Sequence, residues 1–276
     1  MKICIFGPGF LGTRLAQQIP GAVLSRVDIN DLKATEQELR TLQPDAVINA
    51  AGKTGTPNVD WCETNQQATY KSNVIGALQL ASVCAKLDIY LLHLASGCIF
   101  YGPSPIEGGW REEDAANPVS FYSRSKYSAD LMLSRLPNVG IARLRMPIDA
   151  IPGPRNLITK LSSYAKVADV ANSVTVVEDL VHAVKQLTEA RAAGVFHVVN
   201  PGVMRHRDLM TLYRELVDPN HRCEMIPEEA LLANGLIVKQ RSTCILSSER
   251  LAALGISLRP IDEALRATML RYKRAK

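Results

Sequence analysis

An α/β fold built on a doubly wound parallel sheet is what this sequence predicts, and three observations carry it. A short apolar run, Lys2 to Phe6, ends in the turn Gly7-Pro8-Gly9-Phe10-Leu11-Gly12 and leads into a helix-period stretch. Apolar runs then alternate with helix-period segments across short links as far as Met146-Pro147. Such alternation places crossover helices between neighbouring parallel strands. Beyond Pro147 the alternation loosens, which marks a smaller, mostly helical second region.

The elements follow in order. Lys2 to Phe6 reads as a strand, Thr13 to Gln18 as a helix and Ala22 to Leu24 as a second strand. Glu36 to Leu42 is helical and Asp45 to Asn49 is the third strand. Ala68 to Lys86 carries small and apolar residues at helical spacing and reads as one long helix. Tyr90 to Ala95 is a strand, the helix carrying Tyr122 and Lys126 runs to Arg135, and Gly140 to Leu144 is a strand. Ile151-Pro152-Gly153-Pro154 breaks the chain, and a short helix is expected over Asn156 to Val167. Val174 to Val177 and Val195 to Val199 read as strands around a helix from Glu178 to Glu189, and the remainder from Pro201 is mostly helical. The expected division is a dinucleotide-binding domain over 1–150 and a substrate-binding region over 151–276, with 172–200 returning to the first sheet.

Composition excludes several classes. With 47% hydrophobic and 21% charged residues in 276, the chain is long enough for a full core. The net charge of +5 is mild and densest near the end, at Arg266, Arg271, Lys273, Arg274 and Lys276. Basic residues interleaved with aromatics are absent, so a nucleic-acid partner is not expected. The six cysteines form no CxxC pair and no metal-ligand spacing, so no metal is expected. Cys4 and Cys84 fall in apolar-periodic stretches and read as core. No secretory apolar segment and no run of roughly 18 apolar residues occurs. The expected setting is the cytoplasm, away from any membrane, with a small anionic ligand favoured by the positive bias.

The glycine turn follows a strand and opens a helix, the context in which Gly7, Gly9 and Gly12, with Phe10 and Leu11 between them, can bring a pyrophosphate to a helix N-terminus. This is the Rossmann-type dinucleotide pattern. After the second strand comes Ser25-Arg26, with Asp28 slightly later. A basic residue there suits a ribose 2′-phosphate, so NADPH with Arg26 on the phosphate is the expected cofactor and NADH the alternative. Asn49-Ala50-Ala51-Gly52 closes the third strand with small residues under the cofactor, and Asn73 is a polar residue on an otherwise apolar helix face that must find partners.

Ser96 and Cys98 sit at the end of one apolar run, and Tyr122 and Lys126 stand four apart on one helix face. A Lys ammonium there can draw the phenol's pKa down from about 10 towards neutrality. Ser96 can supply a second hydrogen bond to the same substrate oxygen. The set passes a proton to or from a carbonyl oxygen, and Cys98 adds an unexpected thiol.

Together these motifs resemble the extended short-chain dehydrogenase/reductase family. Thr54-Gly55-Thr56-Pro57-Asn58-Val59-Asp60-Trp61-Cys62-Glu63, Ser96-Gly97-Cys98-Ile99-Phe100, Leu144-Arg145-Met146-Pro147-Ile148, Pro154-Arg155-Asn156 and Ile158-Thr159-Lys160 narrow it. They are similar to the plant 3,5-epimerase/4-reductases of nucleotide-rhamnose synthesis and, more distantly, to dTDP-4-dehydrorhamnose reductases. The resemblance implies Ser96, Tyr122 and Lys126 as the reductase set, with Ser96 where the plant enzymes carry Thr. It implies Cys98 and Lys160 as an epimerase acid/base pair. Arg145, Asn156 and Arg241 are candidate ligands for the pyrophosphate or sugar. The implied activity is NADPH-dependent conversion of a dTDP- or UDP-4-keto-6-deoxyglucose to the L-rhamnose nucleotide. A reductase without epimerase activity and a non-catalytic NAD(P)-binding protein are the alternatives. Pairing of two copies as a homodimer is left open.

Overall fold

The structure, a computed structural model, describes residues 1–275. Lys276 and the side chain of Arg274, from the basic run noted above, lie outside the described residues. The chain begins β1 (Ile3–Phe6), α1 (Phe10–Gln18), β2 (Val23–Ser25), α2 (Leu32–Leu42), β3 (Ala46–Asn49), α3 (Trp61–Thr64) and α4 (Gln66–Tyr70). A π-helical turn (Lys71–Ile75) leads into α5 (Gly76–Lys86), then β4 (Tyr90–Ser96), α6 (Phe121–Leu133) and β5 (Val139–Leu144). Next come β6 (Pro147–Ile148), α7 (Leu157–Ser162), β7 (Lys166–Ala168), β8 (Ala171–Asn172), β9 (Thr175–Val176), α8 (Val177–Glu189) and β10 (Gly194–Val198). The last elements are β11 (Met204–Arg205), α9 (His206–Leu216), β12 (Glu224–Ile226), α10 (Glu229–Ala233), α11 (Glu249–Ala253) and α12 (Ile261–Ala275).

Two compact units emerge. The first takes residues 1–99, 116–143 and 181–196, and the second takes 100–115, 144–180 and 197–276. Residues 100–115, which precede the boundary anticipated at 150, thus fall in the second unit.

The six-stranded sheet runs β10-β5-β4-β3-β1-β2, and β2, β1, β3 and β4 are mutually parallel. Strand order reverses direction between β1 and β3, which makes their carboxyl ends the topological switch point where α/β sheets take ligands. The strands read as continuous apolar runs because both faces are covered; every residue of β1, β3 and β4 is buried. Phe6, Val47, Leu91 and Ile141 pack with Leu80 and Cys84 of α5 in one core. Cys4 and Cys84 lie there as anticipated, and burial pushes each thiol up to about 12. The long helix expected over Ala68 to Lys86 starts at Gln66 and is interrupted by the π turn around Asn73. Such a bulge re-aims side chains that a regular helix would direct elsewhere.

The second unit is assembled from short pairs: β6 with β9 and β7 with β12, both parallel, and β8 with β11, antiparallel. Leu157, Ile158, Val174, Leu209, Tyr213, Met269 and Tyr272 form its core. The helix expected over Asn156 to Val167 stops at Ser162, because Val167 pairs with Met225 in β7–β12. Of the segment 172–200, β10 joins the large sheet, whereas β9 pairs with β6. No helix among the described residues is long and apolar enough to cross a membrane.

Candidate active site

Construction of the site starts at the switch point. Gly7 has φ +95°, and a Cβ there would strike the Ala51 backbone; one at Gly12 would strike the Gly7 carbonyl. The two loops and the start of α1 therefore close on one another only because those residues are glycines. Gly9 caps α1, and a Cβ there would meet nothing within 4 Å. That open side at a helix N-terminus with no acidic residue in its first turn fits a dinucleotide pyrophosphate. Phe10 and Leu11 are half-buried, as are Ala50 and Ala51, and Gly52 is exposed. Arg26, just past β2, is exposed. Asp28 Oδ1 accepts from Asn30 N at 3.0 Å and Asn30 Nδ2 at 2.8 Å. Those bonds, the backbone one first, hold its carboxyl below the usual range and tie one carboxylate oxygen into a local turn.

Two residues expected on the cofactor are spent inside the protein. Asn49 is fully buried; its Oδ1 accepts from Ala51 N at 3.0 Å and its Nδ2 lies 3.0 Å from His93 Nδ1. Asn73, 1% exposed, accepts from Lys53 N at 2.7 Å and donates to Lys53 O and Ser125 Oγ, each at 3.0 Å. Neither amide is offered to a ligand. Both position the segments that flank the site, because a buried amide must satisfy its own polar atoms.

The helix α6 starts where Ser120 Oγ accepts from Ser123 N at 3.2 Å. Glu63 of α3 accepts a further bond from Phe121 N at 2.7 Å, a role the sequence did not signal beyond its place in the Trp61-Cys62-Glu63 motif. Tyr122 and Lys126 then lie one turn apart, as anticipated. Ser96 Oγ accepts from Cys98 N at 3.1 Å, and Ser96 acts on the Tyr122 phenol as a polar neighbour that lowers its pKa. Cys98 is half-buried on the 3₁₀ turn (Gly97–Ile99) after β4, close enough to act electrostatically on Tyr122, as Cys62 does. Ser96, Cys98, Tyr122 and Lys126 are thus brought together.

Electrostatics here depart from expectation. Burial, the largest influence, pushes the Tyr122 phenol above its ordinary value; the charge of Cys98 adds to that, and Ser96 opposes it. Lys126 Nζ is directed to His93 Nε2 at 3.1 Å and Leu94 O at 3.0 Å, and burial lowers its pKa to about 8 against the opposing charge of Asp130. The expected descent of the phenol towards neutrality is therefore not found: desolvation of a phenolate outweighs the help available from a lysine that is itself desolvated. Half-buried Tyr122 keeps its phenol in the protonated form at neutral pH. His93, fully buried in mid-strand, went unnoticed in the sequence because a lone His in an apolar run reads as core. Asp130, a turn beyond Lys126, holds Arg143 Nε at 2.9 Å in a buried ion pair.

In the second unit, Arg145 is 1% exposed and its Nη2 binds Asn172 Oδ1 and Ser242 O. Asn156, fully buried, caps α7 through Ile158 N at 3.1 Å and donates to Asp149 O at 2.6 Å and Ile151 O at 2.9 Å. Both were candidate ligands, and the structure instead engages Arg145 Nη2 and the Asn156 amide in tying loops down. Lys160, half-buried in the last turn of α7, is different. Burial first, then the charges of Arg155 and Arg241, lower its pKa. Arg155 was not singled out in the sequence; its place in Pro154-Arg155-Asn156 was the available signal. Among the described residues no group of His, Cys, Asp and Glu could hold a metal ion.

Comparison with known proteins agrees with this architecture. A bifunctional dTDP-4-dehydrorhamnose 3,5-epimerase/dTDP-4-dehydrorhamnose reductase of Arabidopsis thaliana is 35% identical over 86% of this chain and 80% of its own. A trifunctional UDP-glucose 4,6-dehydratase/UDP-4-keto-6-deoxy-D-glucose 3,5-epimerase/UDP-4-keto-L-rhamnose-reductase of the same plant is 36% identical over 80% of this chain. The matched region spans only 35% of that longer protein. Among solved structures, a UDP-rhamnose synthase from Acanthamoeba polyphaga mimivirus superposes with a TM-score of 0.90 and 30% identity, over 98% of this chain and 99% of that one. Residues 1–273 match the model of the RmlD substrate binding domain, and the chain belongs to that family.

Proposed function

We infer that this chain is an NADPH-dependent 3,5-epimerase/4-keto-reductase that turns a dTDP- or UDP-4-keto-6-deoxyglucose into the L-rhamnose nucleotide. The observation that carries the reading is that Ser96 and Cys98, at the end of β4, both act on the Tyr122 phenol, one turn before Lys126 on α6. A carbonyl oxygen held by Ser96 and Tyr122 would have a proton donor at hand, and the nearby thiol would serve a carbon flanking that carbonyl. Gly7, Gly9, Gly12 and the Ala50–Gly52 loop would hold the dinucleotide, with Arg26 suited to a 2′-phosphate because Asp28 is engaged by Asn30. When bound, NADPH supplies the hydride that reaches C4.

Tyr122, protonated, gives its proton to the C4 oxygen as the carbonyl is reduced. Ser96 orients the phenol and shares the charge that develops on that oxygen. The same two donors stabilise the enolate formed when a C3 or C5 hydrogen leaves, so inversion and reduction use one oxygen-binding pair. In this reading the Cys98 sulfur takes the C–H proton. The resemblance gives Lys160 the return of a proton to the carbon, a role suited to a lysine whose proton burial, and then two arginines, loosen.

Incubating the protein with NADPH and dTDP- or UDP-4-keto-6-deoxyglucose in D2O, with NMR of the product, tests the reading. Rhamnose deuterated at C3 and C5 is expected. Turnover only after a separate 3,5-epimerase is added would reduce the assignment to a 4-reductase. Absence of NADPH oxidation with either sugar, pre-inverted or not, would overturn it. In Cys98→Ala, deuterium incorporation should vanish while pre-inverted 4-keto-rhamnose is still reduced; normal inversion would return Cys98 to a packing role.

A further inference from the structure

The π turn Lys71–Ile75 does more than accommodate Asn73. Its closing bond runs from Gly76 N to Lys71 O, five residues back. In a regular helix two residues five apart stand about 140° from one another around the axis, since each residue turns ~100°. The wider π turn, with its i→i+5 bond, brings them close to one face. Gly76 meets the segment after β2: a Cβ there would lie 2.8 Å from Ile29 Cγ1 and 3.1 Å from Asn30 Oδ1. Lys71, exposed, therefore stands one turn before that contact, beside the Asp28–Asn30 turn. Electrostatics agree with this placement. The two Asn30 bonds come first in holding the Asp28 carboxyl below its ordinary range, and the charges of Lys71 and then Lys53 add to them.

We propose that Lys71 is a specificity-determining residue for the adenosine 2′-phosphate of NADPH, aimed by the π turn at the segment after β2 that also carries Arg26. The need for a second cation is electrostatic. Arg26, the first residue beyond β2, is exposed and supplies one positive charge. Asp28, also exposed, stands two residues on, and its carboxylate repels an anionic phosphate. An acid in that segment by itself suits a ribose 2′-hydroxyl, the NADH arrangement. Lys71 answers that charge from across the turn, and an ammonium is a point cation that meets a phosphate without a fixed angle. Lys53 contributes more weakly, from the loop after β3. Asn73, in the same π turn, holds the Lys53 N–H at 2.7 Å and its carbonyl at 3.0 Å. One irregular turn thus places one cation and fixes the backbone of another. The proposal rests on the dinucleotide placement above and extends it from Arg26 to a residue of a different element.

Isothermal titration of the full chain with NADPH and with NADH, at low salt and without sugar, tests it, because the two cofactors differ only in the 2′-phosphate. Wild type should bind NADPH more tightly. Lys71→Met should weaken NADPH on the order of 10-fold, the scale of one partly screened charge against a phosphate, and NADH by less than about 2-fold. Lys71→Arg keeps the cation and should restore most of the preference. Equal losses for both cofactors would move Lys71 to the pyrophosphate and overturn the proposal, and so would no loss for either. Lys71 is exposed, so its variants should fold, and retained NADH binding reports that they have. Lys71→Gln serves in the same way should the Met variant not fold. A wild type that binds both cofactors equally would overturn this proposal and leave the dinucleotide site standing. One that binds neither would sink the site itself, and the proposal with it.

Discussion

Lys126 and Lys160 both hold their protons more loosely than an exposed lysine; burial leads at both, and like charges add to it at Lys160 alone. Lys126 sits against His93 and the Leu94 carbonyl inside the first unit, where burial removes water from the charged form and Asp130 partly offsets the loss. Lys160 is half-buried in the second unit, and two arginines add like-charge repulsion to its desolvation. Burial makes a group's state depend on hydrogen-bond geometry, while repulsion makes it depend on the ionic atmosphere. One residue type thus reaches two chemistries by two routes that salt can separate.

The largest test of the buried side is Tyr122→Phe. Removing the proton donor should lower the rate of 4-ketone reduction by about 10²–10⁴-fold with the fold retained, read as NADPH oxidation with pre-inverted sugar. Near-normal turnover would show that the phenol is not the donor. Asp130→Ala comes next. It removes the carboxylate that holds Arg143 Nε in a pair whose two side chains are 0% and 6% exposed, and should cost up to about 3–5 kcal/mol in urea unfolding. A loss below about 1 kcal/mol would mean that the pair is screened as surface pairs are.

The repulsion route is sharpened by Arg241→Ala and Arg155→Ala. Each should raise the Lys160 pKa, followed through its 13Cε shift, and the difference from wild type should shrink at high salt. The Lys126 titration should not move with salt; an equal response from both lysines would erase the contrast. The smallest effect is expected at Glu178, whose carboxyl Arg271 and Arg259 hold down at about 2. A depressed carboxyl stabilises fully above its unfolded value of about 4.3, and that support is lost as pH falls towards the folded value. Because Glu178 is 45% exposed, Glu178→Gln should cost at most about 1 kcal/mol at neutral pH. The difference should shrink as pH falls through ~2 in acid unfolding; a difference that stays constant there would assign the loss to packing.

Legibility followed the range of the interactions involved. The Gly7–Gly12 turn, the α6 pair Tyr122/Lys126 and the end of β4 at Ser96 were readable because strand–turn–helix signals and i,i+4 spacing act over a few residues. Arg145 and Asn156 misled as ligands because their types suit anions and nothing local reports that burial has already claimed them. The helix drawn through Val167 failed for a related reason: its partner strand, Glu224–Ile226, is some sixty residues away in the chain. The π turn at Asn73 has no period of its own to read.

By itself the sequence determined the alternating α/β plan, the glycine turn and the residue types that meet at the end of β4, all of them consequences of local periodicity and backbone freedom. Only the tertiary structure decided their states. It placed His93 between Asn49 and Lys126, kept the Tyr122 phenol protonated, and set two arginines against Lys160. Protonation depends on how much water is excluded and which dipoles and charges remain nearby, and both are settled by parts of the chain far apart in sequence.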